Sequence, residues 1–160
     1  MSQENVEVVK VAYEAFARGG RFMEHFTDDV DYRAVEGAPD DRGPIHGKDA
    51  LRAWFEDWID TFDEFTMELV ELIDAGEDTV VALERFGGRA KRSRVKTNQI
   101  IGDVFTIRDG KIAHGRVAKA HARAARQRLV GDAPGGLGDG ARPREYATRE
   151  QALDAAGLRE

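Results

Sequence analysis

Of the residues able to do chemistry, Asp103 occupies the most telling place. Strand alternation over Ile101, Asp103, Phe105 and Ile107 sets all four side chains on one face. A carboxyl group among isoleucine and phenylalanine is desolvated, which raises its pKa. In the protonated form it could donate a hydrogen bond to a ligand carbonyl. An ion pair with a nearby arginine, or a place at an exposed strand edge, is the alternative. Tyr13 shares a helical stripe with Val6, Val9 and Phe16, so its hydroxyl comes to a core face. Trp54, Phe55 and Trp58 lie on a second helical stripe, as core packing or as the wall of a ligand cage.

Other chemistries find no support. Ser2 and Ser93 are the two serines, and neither lies in a G-x-S-x-G elbow. The four histidines, His25, His46, His114 and His121, have no tight ligand spacing, so no metal is expected. With no cysteine there is no disulfide framework, thiolate zinc site or cysteine nucleophile. Gly136-Leu137-Gly138-Asp139-Gly140 resembles a phosphate loop but lacks a preceding strand and a following helix start, and reads as linker.

The elements that must position these residues follow from periodicity. Residues 3–18 form a helix stopped by Gly19-Gly20, and residues 21–26 a shorter helical segment. Residues 30–35 read as a strand and 36–44 as a Pro/Gly-rich loop. Over residues 48–62, Leu51, Trp54, Phe55, Trp58 and Phe62 make one apolar stripe of a long helix. Strand patterns cover 65–74, 79–86 and 95–108, with turns at Ala75-Gly76-Glu77-Asp78 and Arg108-Asp109-Gly110. Helices followed by a run of antiparallel strands predict an α+β fold, with helices on one face of a curved sheet. Residues 116–130 are rich in alanine, with Arg116, Lys119, Arg123 and Arg126 as a basic helical stripe. Residues 131–140 are glycine-rich, and Thr148-Arg149-Glu150-Gln151 is a capping box.

The 160 residues suit one domain. The net charge of −6 divides unevenly: residues 1–80 carry 7 basic and 21 acidic side chains, residues 81–160 carry 17 and 9. The acidic total argues against a dedicated nucleic-acid partner. The basic cluster Arg89, Lys91, Arg92, Arg94 and Lys96 has no interleaved aromatics for base stacking. A polar, acidic start and the lack of an apolar run near the ~18 residues of a membrane span imply a soluble, cytoplasmic chain with no membrane partner.

Several segments in this order resemble the SnoaL-like branch of the nuclear transport factor 2-like superfamily, which is related to ketosteroid isomerase and limonene epoxide hydrolase. They are the first helix with Tyr13, Phe26-Thr27-Asp28-Asp29-Val30, Gly43-Pro44-Ile45-His46-Gly47-Lys48-Asp49-Ala50-Leu51, Val104-Phe105-Thr106-Ile107-Arg108-Asp109-Gly110-Lys111-Ile112 and Arg142-Pro143-Arg144-Glu145-Tyr146. The resemblance implies a cone, a bent antiparallel sheet wrapped on N-terminal helices around a mainly apolar pocket. It also implies a small apolar ligand, no organic cofactor, and a homodimer through the outer sheet face. The fold hosts isomerases, cyclases, hydrolases and non-catalytic modules, so it does not fix the activity.

Residue by residue, Tyr13 and Asp103 match the tyrosine and protonated aspartic acid of the ketosteroid isomerase oxyanion hole. The base position is Ala34, so simple ketosteroid isomerisation is not expected. Tyr32, two residues before Ala34, shares its face and should line the pocket. Glu84-Arg85-Phe86-Gly87 resembles the strand bearing the arginine of limonene epoxide hydrolases, which implies an inward Arg85 contacting an anion or carbonyl, or else an ion pair. The partner aspartates of that enzyme are missing, at Gly87 and near Val117. The resulting expectation is a catalytic pair Tyr13 and Asp103, with Tyr32, Trp54, Phe55 and Arg85 contacting ligand. An isomerase, cyclase or lyase acting on an apolar carbonyl or hydroxyl compound fits these residues, as does a non-catalytic ligand-binding or dimerisation module. The domain is expected over residues 1–113 and 142–160, interrupted by an insertion at 114–141, which is Ala/Arg-rich and then Gly-rich.

Overall fold

The first helix, α1 (Ser2–Ala17), buries Val6, Val9 and Ala12 at three-residue spacing. It stops where Gly19 takes a positive φ of 66° and the amides of Gly19 and Gly20 cap the last carbonyls. These details come from a computed structural model, which describes residues 2–38, 41–119 and 144–145. A short 3-10 turn, Phe22–His25, leads directly into β1 (Phe26–Arg33), which therefore starts four residues before the strand predicted from sequence. A two-residue strand, β2 (Ile45–His46), precedes α2 (Lys48–Asp60). Phe62, expected to end α2, instead opens β3 (Phe62–Asp74).

β3 is followed by β4 (Thr79–Ala90), β5 (Lys96–Arg108), β6 (Lys111–Lys119) and β7 (Arg144–Glu145). Together they form one sheet in the order β2-β1-β6-β5-β4-β3-β7. Most neighbours are antiparallel, but β1 runs parallel to β6 and β7 parallel to β3, so the sheet is mixed. Register shifts interrupt β3 between Asp63 and Thr66 and between Leu69 and Glu71. Such bulges bend a strand and strengthen its twist, curving the sheet around the helices. The β5–β6 connection is the two-residue Asp109-Gly110 turn, with φ of 52° and 74°, the left-handed pair that a tight hairpin requires.

The core lies between the helices and the concave face, where Val9, Val30, Leu51, Val80 and Ile112 are almost wholly buried. Among the described residues no helix is long and apolar enough to cross a membrane. Residues 114–119, expected to open an inserted segment, belong to β6. Pairing with β5, Asp103 opposite Val117 and Ile101 opposite Lys119, carries them into the sheet. The rest of the basic stripe, the glycine-rich stretch and the capping box lie outside the described residues.

Candidate functional site

The curved sheet and the two helices enclose a cavity of about 590 Å³, within the range of small-molecule sites. α2 contributes Trp54, Phe55 and Trp58 to its wall. Trp54 and Trp58, one turn apart, stack with centroids 5.6 Å apart and planes 11° from parallel. Across the cavity Trp58 meets Phe86 of β4 at 5.1 Å, and Phe86 meets Phe62 at 5.1 Å. Tyr32 lies 5.7 Å from both Trp54 and Phe55. These offset and edge-on contacts give a rigid aromatic lining.

Four polar side chains converge within this apolar shell. Tyr13 of α1 donates from Oη to Asp103 Oδ2 at 2.8 Å, and Tyr32 of β1 donates to Asp103 Oδ1 at 3.1 Å. Glu84 is the fourth group, 1% exposed, with its carboxyl in hydrogen-bonding reach of Tyr13 and Asp103. Its Oε2 is buried and has no partner. The register explains the meeting. On β4 and β5, Ala82 stands opposite Asp103 and Glu84 opposite Ile101, making Glu84 and Asp103 diagonal neighbours on the concave face. Tyr32 reaches the cluster over Gly115, where a Cβ atom would stand 2.5 Å from the tyrosine ring.

Burial sets the protonation states. It pushes Asp103 up to about 6, although hydrogen bonds from Tyr13, Tyr32 and Glu84 pull the other way. Glu84 is pushed well above the usual carboxylate range by burial first and by the charge of Asp103 second. Burial and the same charge hold both tyrosines in their neutral form. Burial and mutual charge thus make the two carboxyls hold protons above the usual carboxylate range. Among the described residues lining the cavity there is no lysine, arginine or histidine.

Tyr13, Tyr32, Trp54, Phe55 and Asp103, all expected from sequence, line this one cavity, as does Ala34. Asp103 is found as an acceptor of two hydroxyls rather than as a free donor. Arg85 is placed differently from its expectation. Alternation turns it to the convex face, outside the cavity, where Nη1 pairs with Glu68 Oε2 at 3.2 Å. Its neighbour Glu84 faces inward instead, a residue that sequence reasoning did not single out. The signal was present in parity, since Val80, Ala82, Glu84 and Phe86 share one face of β4. Among the described residues no group of three potential ligands could hold a metal ion.

The model of the SnoaL-like domain matches residues 9–115. The chain belongs to the SnoaL-like domain family. This SnoaL-like chain is similar in structure to an NTF2-like protein from Burkholderia thailandensis, at 24% identity and a TM-score of 0.66, over 71% of this chain and 88% of that one. A putative SnoaL-like polyketide cyclase from Mesorhizobium loti matches at 20% identity and 0.57, over 70% and 96%. TerC, co-crystallised with polyporic acid, matches at 18% identity and 0.62, over 81% and 99%. At these identities the likeness is one of fold. No curated protein matches this SnoaL-like chain in sequence.

Proposed function

We propose that this SnoaL-like protein binds a small, mostly apolar molecule carrying a carbonyl or hydroxyl group, and acts on it as an isomerase, cyclase or lyase. One observation carries the reading: Tyr13, Tyr32, Asp103 and Glu84 converge at one point of a mainly apolar cavity rich in aromatic side chains. A polar cluster in an enclosed apolar site interacts more strongly with a ligand than it would in water. Asp103, pushed up to about 6, and Glu84, raised by the same burial, form a carboxyl pair that can both accept and return a proton near neutral pH. The polyketide cyclase and polyporic acid names among the neighbours agree with a ligand of aromatic or polycyclic body.

A second reading, a non-catalytic ligand-binding module, has its own support in Ala34. This residue brings only a methyl group to the cavity where the resemblance to ketosteroid isomerase expects a base. Two measurements decide. A thermal-shift screen of steroids, aromatic polyketide-like compounds and terpenoids tests binding, with about 2.7 kcal/mol of stabilisation expected at 100-fold Kd. A flat response to every class overturns the pocket reading. For any binder, exchange of ligand protons in D2O, faster with protein than without, separates an enzyme from a module.

A further inference from the structure

The two ends of the cavity differ in charge. Along β5, Thr97, Gln99, Ile101 and Asp103 face inward by alternation, and all four line the cavity. Asp103 marks the buried end, with Glu84 as its diagonal neighbour. Gln99, four residues nearer the mouth and about 13 Å away at the rise of a strand, is exposed. Ser93 and Thr61, also exposed, complete the polar part of this rim.

The rim is a pinned turn. Between β4 and β5 the Ala90 amide donates to the Val95 carbonyl at 3.0 Å, and the Arg94 amide to the Ala90 carbonyl at 2.9 Å. The Lys91 amide donates to the Thr61 carbonyl at 3.0 Å. Lys91 Nζ pairs with Asp60 at 3.0 Å and Arg94 Nη1 with Asp63 at 2.8 Å. These contacts draw the turn onto the junction of α2 and β3, and Ala90 and Ser93 line the cavity mouth there.

This turn is strongly basic. Residues 89–96 carry five cations and no acid. Arg89 and Lys96 are register partners on the outer face of the sheet, away from the cavity. Lys91 and Arg94 are spent on Asp60 and Asp63. Arg92, exposed between them and next to Ser93, has no ion-pair partner among the described residues. At the opposite end stand two buried carboxyls, with no cation among the described lining residues. Such a cleft orients a charged guest: an anionic group is drawn to the rim and excluded from the floor, where it would find no counter-charge.

Resting on the cavity reading above, we propose that the ligand is an amphipathic carboxylate, its apolar body inside the aromatic shell and its carboxylate at the rim, held by Arg92 with Ser93 and Gln99. A planar guanidinium suits this task, because it gives a carboxylate two parallel charge-assisted hydrogen bonds. The Ser93 hydroxyl and the Gln99 amide add neutral donors. The distance of about 13 Å from floor to rim accommodates a body of two rings in line.

The test uses the full chain and three shape-matched probes, biphenyl-4-carboxylate, biphenyl-4-carboxamide and protonated biphenyl-4-ylmethylamine, with Kd measured by calorimetry at pH 7. The net charge of −6 by itself favours the amine, so a preference for the carboxylate reports the rim. At low salt the carboxylate should bind about threefold more tightly than the amide and about tenfold more tightly than the amine. Raising the salt to about 0.5 M should compress the second ratio to within about threefold. R92E should erase the preference and R92Q should reduce it. K111E makes the same charge change at the opposite end of the sheet and should keep the preference within about twofold of wild type. A carboxylate that binds no more tightly than the amine, a preference that survives in R92E, or an equal loss in K111E overturns this inference alone. Absence of binding by all three probes overturns the cavity reading and this inference with it.

Discussion

Tyr13 and Asp103 stand 90 positions apart in sequence, yet the hydroxyl of one lies 2.8 Å from the carboxylate of the other. The bond spans the whole architecture, joining the helix that closes the cavity to a central strand of the sheet. It also spans the site's two physical demands. The carboxylate needs donors because it is buried, and the tyrosine needs a partner because its ring is held in apolar contact 6.3 Å from Phe105. Tyr32 satisfies the second oxygen in the same way. A charge is thus kept inside the protein by two hydroxyls rather than by a cation.

Removing one of those hydroxyls should show directly. Tyr13→Phe takes a donor from the ionised form of Asp103, so the Asp103 titration moves upward from about 6. Leaving a buried carboxylate oxygen without this donor should cost about 1–3 kcal/mol of stability near neutral pH. Carbon-13 NMR of the aspartate carboxyls and urea unfolding measure the two effects. An unmoved titration would mean that Tyr13 does not hold the charge.

How far the sequence reached depends on whether a signal was local. The α2 stripe was legible because Leu51, Trp54 and Trp58 repeat at helical spacing, yet the same spacing admitted Phe62, which belongs to β3. Asp103 was legible as an inward carboxyl because its strand neighbours are apolar and alternation is strict. Its partners were harder to read. That Tyr32 comes close to Asp103 depends on β1 lying parallel beside β6, a long-range pairing with no local signature. Glu84 and Arg85 illustrate the cost of a one-residue shift on a strand. Reading Arg85 as inward exchanged the two faces and hid the buried carboxyl beside it. Residues 114–119, read from sequence as the start of an insertion, join the sheet through pairing with β5, another long-range contact with no local signature.

The outward place of Arg85 has its own consequence. Its ion pair with Glu68 is partly solvated, and such pairs contribute about 0–1 kcal/mol. Arg85→Gln should therefore change the unfolding free energy by less than about 1 kcal/mol and leave the affinity of any cavity ligand unchanged. A large loss of ligand affinity would return Arg85 to the site.

Gly115 sets a packing constraint on the cluster. A Cβ there would sit 2.5 Å from Tyr32 Cδ2, closer than real side chains tolerate, and a tight 3.2 Å from Phe105 Cδ1. Gly115→Ala should destabilise by about 1–3 kcal/mol, the usual cost of overpacking, and push the Tyr32 ring off Asp103. Adding Tyr32→Leu should recover part of that loss, because the smaller side chain relieves the same clash, and the double-mutant cycle should show coupling above ~0.5 kcal/mol. Strict additivity in urea unfolding would place the cost elsewhere.

The buried carboxyl pair also predicts the pH dependence of stability. Asp103 titrates near 6 in the folded protein, against ~3.9 in an unfolded chain. Between those values the folded state binds the proton more tightly, so raising the pH through this window favours unfolding. The contribution is fully present below ~4 and is lost as pH rises through 6; two pKa units correspond to about 3 kcal/mol. Glu84, pushed up by the same burial, adds a decline of the same sign. Asp29 and Asp41 act with the opposite sign, since hydrogen bonds hold them below the usual range, and their effect belongs to acid pH. Urea unfolding between pH 5 and 8 should therefore show a falling midpoint in the wild type. Asp103→Asn, neutral throughout, should flatten the slope over pH 5–6.5 while leaving the acid limb unchanged. A wild-type midpoint that rises across pH 5–8, or a slope unaltered in the variant, would show that Asp103 is not the group whose proton is held.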